Sequence, residues 1–136
     1  MSYKLPKLNT TVSALASGSA ITLSTATPAN VTSISLTAGT YLVSGIVNFQ
    51  GVITVTGAQI ASTNTTSATV GTQGLNAAST VFLTNSFSLN VPISLNSPEF
   101  ILTLGATTTV YLVAQATFSG GTCLAYGSIS AVRLYF

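Results

Sequence analysis

Aspartate, histidine and tryptophan are absent from this 136-residue sequence, and cysteine occurs once, at Cys123. The charged residues are Lys4, Lys7, Glu99 and Arg133, 3 % of the chain where a globular domain carries about 25 %. These absences exclude most chemistry. A Ser-His-Asp or Cys-His arrangement has no histidine to act as base. Glycoside hydrolysis needs a pair of carboxylates, and Glu99 has no acidic companion. Neither a zinc site of histidine and cysteine nor a carboxylate cage for a hard cation can be built from these side chains. The sequence reads as non-enzymatic, with no cofactor and no metal.

The shortage of charge also restricts partners. Three basic residues cannot neutralise a run of phosphates, so nucleic acid is not an expected partner. With a net charge of +2, identical copies meet little repulsion, which favours self-association. Long apolar runs are missing too. The stretch 110–114 is among the longest, far short of the ~18 residues of a membrane helix. Residues 1–9 hold two lysines with no apolar segment behind them, unlike a signal peptide. The expectation is a chain made in the host cytoplasm that does not enter a membrane. A lone cysteine has no partner within the chain, and Cys123 reads as a small buried hydrophobe at a strand start.

What remains is β-forming sequence. There are 23 threonines and 18 serines, and Thr is a β-branched residue whose hydroxyl can face water. Val, Ile, Thr, Tyr and Phe recur in short runs separated by breakers at 27–30, 38–39, 50–51, 96–98, 105–106 and 119–121. Gly39, Gly105 and the pair Gly120-Gly121 are placed to supply the positive φ values of hairpin turns. No window carries a helical stripe. The expected fold is all-β, an antiparallel jelly-roll sandwich of about ten strands, with a surface loop at 63–79. Residues 1–10 lack the β pattern and are expected to be a tether, with the jelly-roll domain spanning 11–136.

Three segments are apolar on both faces. In 108–118, Val110, Leu112, Ala114, Ala116 and Phe118 share one face, while Tyr111 and Val113 lie on the other. The last strand alternates Leu124, Tyr126, Val132 and Leu134 with Ala125, Ile129, Ala131 and Tyr135. In 41–49, Tyr41, Val43, Val47 and Phe49 oppose Leu42 and Ile46. One face packs in the sandwich; with no helix to cover the other, a neighbouring subunit is expected there. This predicts an oligomer closed through one sheet made of 41–49, 108–118 and 123–136, with Tyr41, Tyr111, Val113, Ile129 and Tyr135 at the interface. Glu99 and Arg133 are read either as solvated charges or as an ion pair, within or between subunits.

The segment Thr107-Thr108-Thr109-Val110-Tyr111-Leu112-Val113-Ala114-Gln115-Ala116-Thr117-Phe118-Ser119-Gly120-Gly121-Thr122, continuing as Ala125-Tyr126-Gly127-Ser128-Ile129-Ser130-Ala131-Val132-Arg133, resembles a recurring ending of small phage and prophage proteins. Leu36-Thr37-Ala38-Gly39-Thr40-Tyr41-Leu42-Val43-Ser44-Gly45 looks like a second landmark of that group. These proteins are similar in layout to trimeric jelly rolls of the tumour-necrosis-factor and complement-globular-head type. The group often ends in two arginines, and Val132 stands where the first would be. The resemblance implies a component of the virion exterior and makes the expected oligomer a homotrimer. On that basis the expected role is capsid decoration, docked on the major capsid protein or another virion protein through Lys4, Pro6 and Lys7. A tail-fibre or spike tip binding a host surface glycan is the alternative. A secreted cytokine-like or lectin-like module is the third, disfavoured by the N-terminal sequence.

Overall fold

The computed structural model describes residues 9–71, 80–83 and 92–134. Over these the chain forms nine strands and one 3₁₀ turn: β1 Thr10–Leu15, the turn Ser17–Ser19, β2 Ile21–Leu23, β3 Ala29–Leu36, β4 Gly39–Gly51, β5 Thr54–Asn64, β6 Thr80–Leu83, β7 Ile93–Leu104, β8 Thr108–Ser119 and β9 Cys123–Arg133. They make two antiparallel sheets. The first runs β1-β9-β4-β7, with β2 also on β9, and the second runs β3-β8-β5-β6. The strands β1 and β2 act as one interrupted strand, meeting β9 from Val132 to Gly127 and from Ala125 to Cys123. Early strands thus pair with late ones in nested fashion, β1 with β9, β3 with β8, β4 with β7 and β5 with β6. That nesting is the jelly roll.

Alternation sets the core. Along β9, Cys123, Ala125, Gly127, Ile129 and Ala131 are buried while their neighbours are half-exposed. Facing them across the sandwich are Val110, Leu112, Ala114 and Ala116 of β8. Phe49, Leu36, Val43, Val47 and Val55 complete an interior in which each large side chain contributes about 1.5–3 kcal/mol of gross burial energy.

Four expectations need correction. First, β8 does not share a sheet with β4 and β9. It lies between β3 and β5, because its inward set Val110, Leu112, Ala114 and Ala116 fills the core from the opposite side. Second, Asn96-Ser97-Pro98 is not a turn. The strand β7 runs through it, since the register against β4 shifts between Val43, opposite Phe100, and Gly45, opposite Ser97. Pro98 and Glu99 bulge out there, so the missing N–H of proline falls where the ladder is already interrupted. Third, Gly105 is not among the positive-φ residues, whereas Gly120 and Gly121 are, at 64° and 70°. Fourth, β5 extends the expected loop boundary to Asn64, and the following residues are pinned. Asn30 donates from Nδ2 to Ser67 Oγ at 2.7 Å and accepts from the Ala68 N–H at 2.7 Å. The rest of that loop, 72–79, lies outside the described residues.

Cys123 is fully buried, as the sequence suggests, and burial pushes its thiol up to about 11. Because the folded state holds that proton longer than the unfolded chain does, the stabilisation is intact below about pH 9 and is lost as pH rises toward 11. Urea titrations at pH 8 and pH 11 are expected to show this loss, at most about 3 kcal/mol, and Cys123→Ala is expected to remove it. A thiol reagent at pH 8 should label the chain after unfolding and not before.

Candidate functional site

Each sheet of the sandwich has an outer face, and the two differ. On the second sheet, Val113 and Ile60 are buried although they stand outside the central core, and the Ser62 and Thr80 hydroxyls meet at 2.7 Å. That part of the face is buried, whereas Ser33 and Ser35 on its β3 side are exposed. On the first sheet, β9, β4 and β7 bring Val132, Leu42 and Ile101 into one row of neighbouring partners. Val12 of β1 stands beside the row, opposite Ser130. Val12 and Ile101 are 59 % and 64 % exposed. Farther along the same strands the face becomes polar, with the Ser44 and Ser130 hydroxyls 2.9 Å apart and Glu99 beside them. What this surface offers is contact: an apolar row bordered by hydroxyls.

The residues expected at a subunit interface fall elsewhere. Tyr41 is 4 % exposed and Ile129 is fully buried, both in the core. The Tyr41 hydroxyl donates to the Thr37 carbonyl at 3.0 Å, so the ring is satisfied inside its own subunit. Val113 is fully buried on the outer side of the second sheet, and Tyr111, half-buried on that same sheet, is separated from Tyr41 by the whole sandwich. These four cannot line a common contact, because the fold spends three of them on its own interior. Tyr135, Lys4, Pro6 and Lys7 lie outside the described residues.

Glu99 and Arg133 are not brought together within one subunit. The Arg133 guanidinium sits 6.0 Å over the Tyr41 ring and donates to the Ala38 carbonyl at 3.2 Å. It borders a small depression of about 140 Å³ shared with Asn9, Thr11, Ser35 and Thr37. Glu99 borders a different one, on the outer face of the first sheet with Ser44 and Ser130. An ion pair between subunits remains the untouched half of that expectation.

Both apolar sets of β4 and β9 exist, but the set expected to be exposed is the buried one. On β4, the set with Tyr41 and Phe49 is inward, and Leu42 with Ile46 is outward. On β4 the bulkier aromatic set takes the interior, whereas on β9 the smaller set of Ala125, Ile129 and Ala131 does, so side-chain volume alone does not choose the inward face. No sequence signal marks Ile101, whose strand lies across the misread turn.

No protein-family model matches the chain, and no curated protein matches it. Among solved structures, the fold is similar to a chain in the structure of the infectious bursal disease virus Gx strain, with a TM-score of 0.55 and 15 % identity over 94 % of this chain. It is similar also to a chain of the T13 particle of infectious bursal disease virus, with a TM-score of 0.53 and 14 % identity over 94 % of this chain. The chain spans about a third of the length of those it matches, 32 % and 31 %. At such identity the likeness is one of fold: this jelly roll is an architecture shared with chains of a viral particle.

Proposed function

We propose that the chain is a non-enzymatic structural protein of a phage virion, a capsid decoration protein that forms homotrimers on the exterior. The observation that carries this reading is the open outer face of the first sheet, where Val12, Leu42, Ile101 and Val132 form an uncharged apolar row on a jelly roll of the kind found in viral particles. Burying roughly 700 Å² of apolar area per subunit would yield a gross gain on the order of 17 kcal/mol before association costs. The nearly neutral sequence leaves little repulsion to oppose it. The partners on this reading are two further copies of the chain and the major capsid protein or another virion protein, with residues 1–10 as the tether.

Light scattering tests the trimer. The full chain is expected at close to three times 13.8 kDa, with and without residues 1–8. Ile101→Lys, at a site exposed in the single subunit, is expected to give folded monomer. A parent chain of 13.8 kDa in solution would end the self-association claim. Gold-labelled antibody on intact virions tests the position: label spread over the capsid supports decoration, and label confined to the tail favours the fibre tip.

A further inference from the structure

We propose that the break in the β4–β7 ladder is a binding site for one neutral saccharide unit, which goes beyond a role in assembly. Where Pro98 and Glu99 bulge away from Ser44, the outer face sinks into a depression of about 330 Å³. Ser44, Asn96, Ser97, Glu99, Ser128 and Ser130 contribute its polar lining, and Ile46 its apolar wall. The volume sits at the lower end of the range of about 300–1,000 Å³ typical of small-ligand sites, which suits a single ring.

The lining selects the ligand class by its chemistry. Four hydroxyls and an amide both donate and accept, as the hydroxyls of a sugar do. The Ser44 and Ser130 hydroxyls, 2.9 Å apart, can exchange donor and acceptor roles to suit a guest. Glu99, the acidic residue of the sequence, accepts a charge-strengthened bond from a sugar hydroxyl and repels anions. Among the described residues no cation lines the depression, which leaves a phosphate, sulfate or uronic acid without a counter-charge there. One carboxylate is too little charge for a tight calcium or magnesium site.

A second observation comes from beneath the break. Gly45 at the floor has no side chain, and an atom in the Cβ position would meet Leu112 Cδ1 at 2.8 Å, Thr63 Cγ2 at 3.0 Å and Ser97 Oγ at 3.1 Å, so the sheet lies close on the interior here. The Thr63 hydroxyl, on a residue 1 % exposed in the interior below, has no hydrogen-bond partner among the described residues. Ser97 spans the break instead, donating to the Gly45 carbonyl at 3.3 Å. The hydroxyl-lined opening thus coincides with the place where the β4–β7 ladder is interrupted and a serine side chain stands in for a backbone bond.

The test is a titration of the full-length chain by amide nuclear magnetic resonance, with galactose, glucose and N-acetylglucosamine, and with glucuronate and calcium chloride as separate arms. At least one neutral sugar is expected to shift the amides of Ser44, Asn96, Glu99 and Ser130, with a dissociation constant on the order of 1 mM. Glucuronate is expected to bind at least several-fold more weakly. Asn96→Ala and Ser130→Ala, both at positions that are not fully buried, are each expected to weaken binding by roughly three- to tenfold. Glu99→Gln is expected to abolish the discrimination against glucuronate. No localised shifts with any neutral sugar up to roughly 100 mM would overturn the proposal. So would equal binding of glucuronate, or calcium alone reproducing the same shifts. The Ile101→Lys chain is titrated in parallel; sugar binding to that form and not to the parent would show that assembly closes the site, and would overturn it as a function of the assembled protein.

Discussion

Replacing Gly127 with alanine is expected to leave the chain unfolded, or to lower its stability by more than about 4 kcal/mol, a size reached by few single substitutions. Gly127 pairs with Val47 in the middle of the contact between β9 and β4, the two central strands of the first sheet. Its φ is 157°, and a Cβ there would stand 2.0 Å from the Ile46 carbonyl oxygen and 3.0 Å from its carbon. Both obstacles are backbone, so no rotamer change relieves them. The strands must part, and separating them disturbs a register that runs from Tyr41 opposite Arg133 to Gly51 opposite Cys123. Against a total stability of about 5–15 kcal/mol, the loss removes much of what holds the fold. Gly105→Ala supplies the comparison. A Cβ at Gly105 meets nothing within 4 Å and its backbone is not in the positive-φ region, so stability should change by less than about 1 kcal/mol. Urea denaturation of the two variants gives the contrast; equal midpoints would mean that β4 and β9 do not pair in this register.

The sequence made the strands legible wherever one face was much more apolar than the other. Alternation along β9 placed Ala125, Ile129 and Ala131 together, and they do share the interior. The breaker at 105–106 falls between strands, those at 38–39 and 119–121 straddle a strand end, and the one expected at 50–51 is the end of β4, the turn following at 52–53. The sequence was opaque where tertiary register decides. Pro98 looks like the end of a strand by its chemistry, and only a β4 partner with shifted register lets β7 carry it as a bulge. Likewise β5 turns Gln59, Ala61 and Thr63 inward and Ile60 toward the other face, against the rank order of their polarity. Pattern alone could not tell which of two apolar faces on β4 becomes core, because both suit a strand covered on either side. The candidate saccharide depression was illegible for the same reason. Ser44, Asn96, Glu99 and Ser130 come from three strands, and their meeting depends on one interruption in the ladder.

Gln59→Met is expected to stabilise the chain by about 2 kcal/mol, raising the melting temperature by roughly 5 °C or more. Gln59 is fully buried, opposite Ala116 on β8 and Leu83 on β6, and among the described residues neither its amide nitrogen nor its amide oxygen has a hydrogen-bond partner. A buried polar group in that state forfeits its bonds to water, at a cost of about 1–3 kcal/mol. Methionine has a similar length and an adaptable apolar chain, so it removes the desolvation cost without opening a cavity or overfilling the space. The surroundings favour this outcome, since Ala61 and Ala116 beside the amide are apolar and offer it no side-chain donor or acceptor. Urea titration separates the effect from a change in compactness: the midpoint should rise with the slope unchanged. If the variant melts lower instead, the amide has a partner that the single chain does not supply, either water held between the sheets or a group from another subunit. Light scattering on the same variant then distinguishes these. A parent that is trimeric and a variant that is not would place the missing partner across the subunit boundary, and make a buried glutamine part of what holds the assembly together.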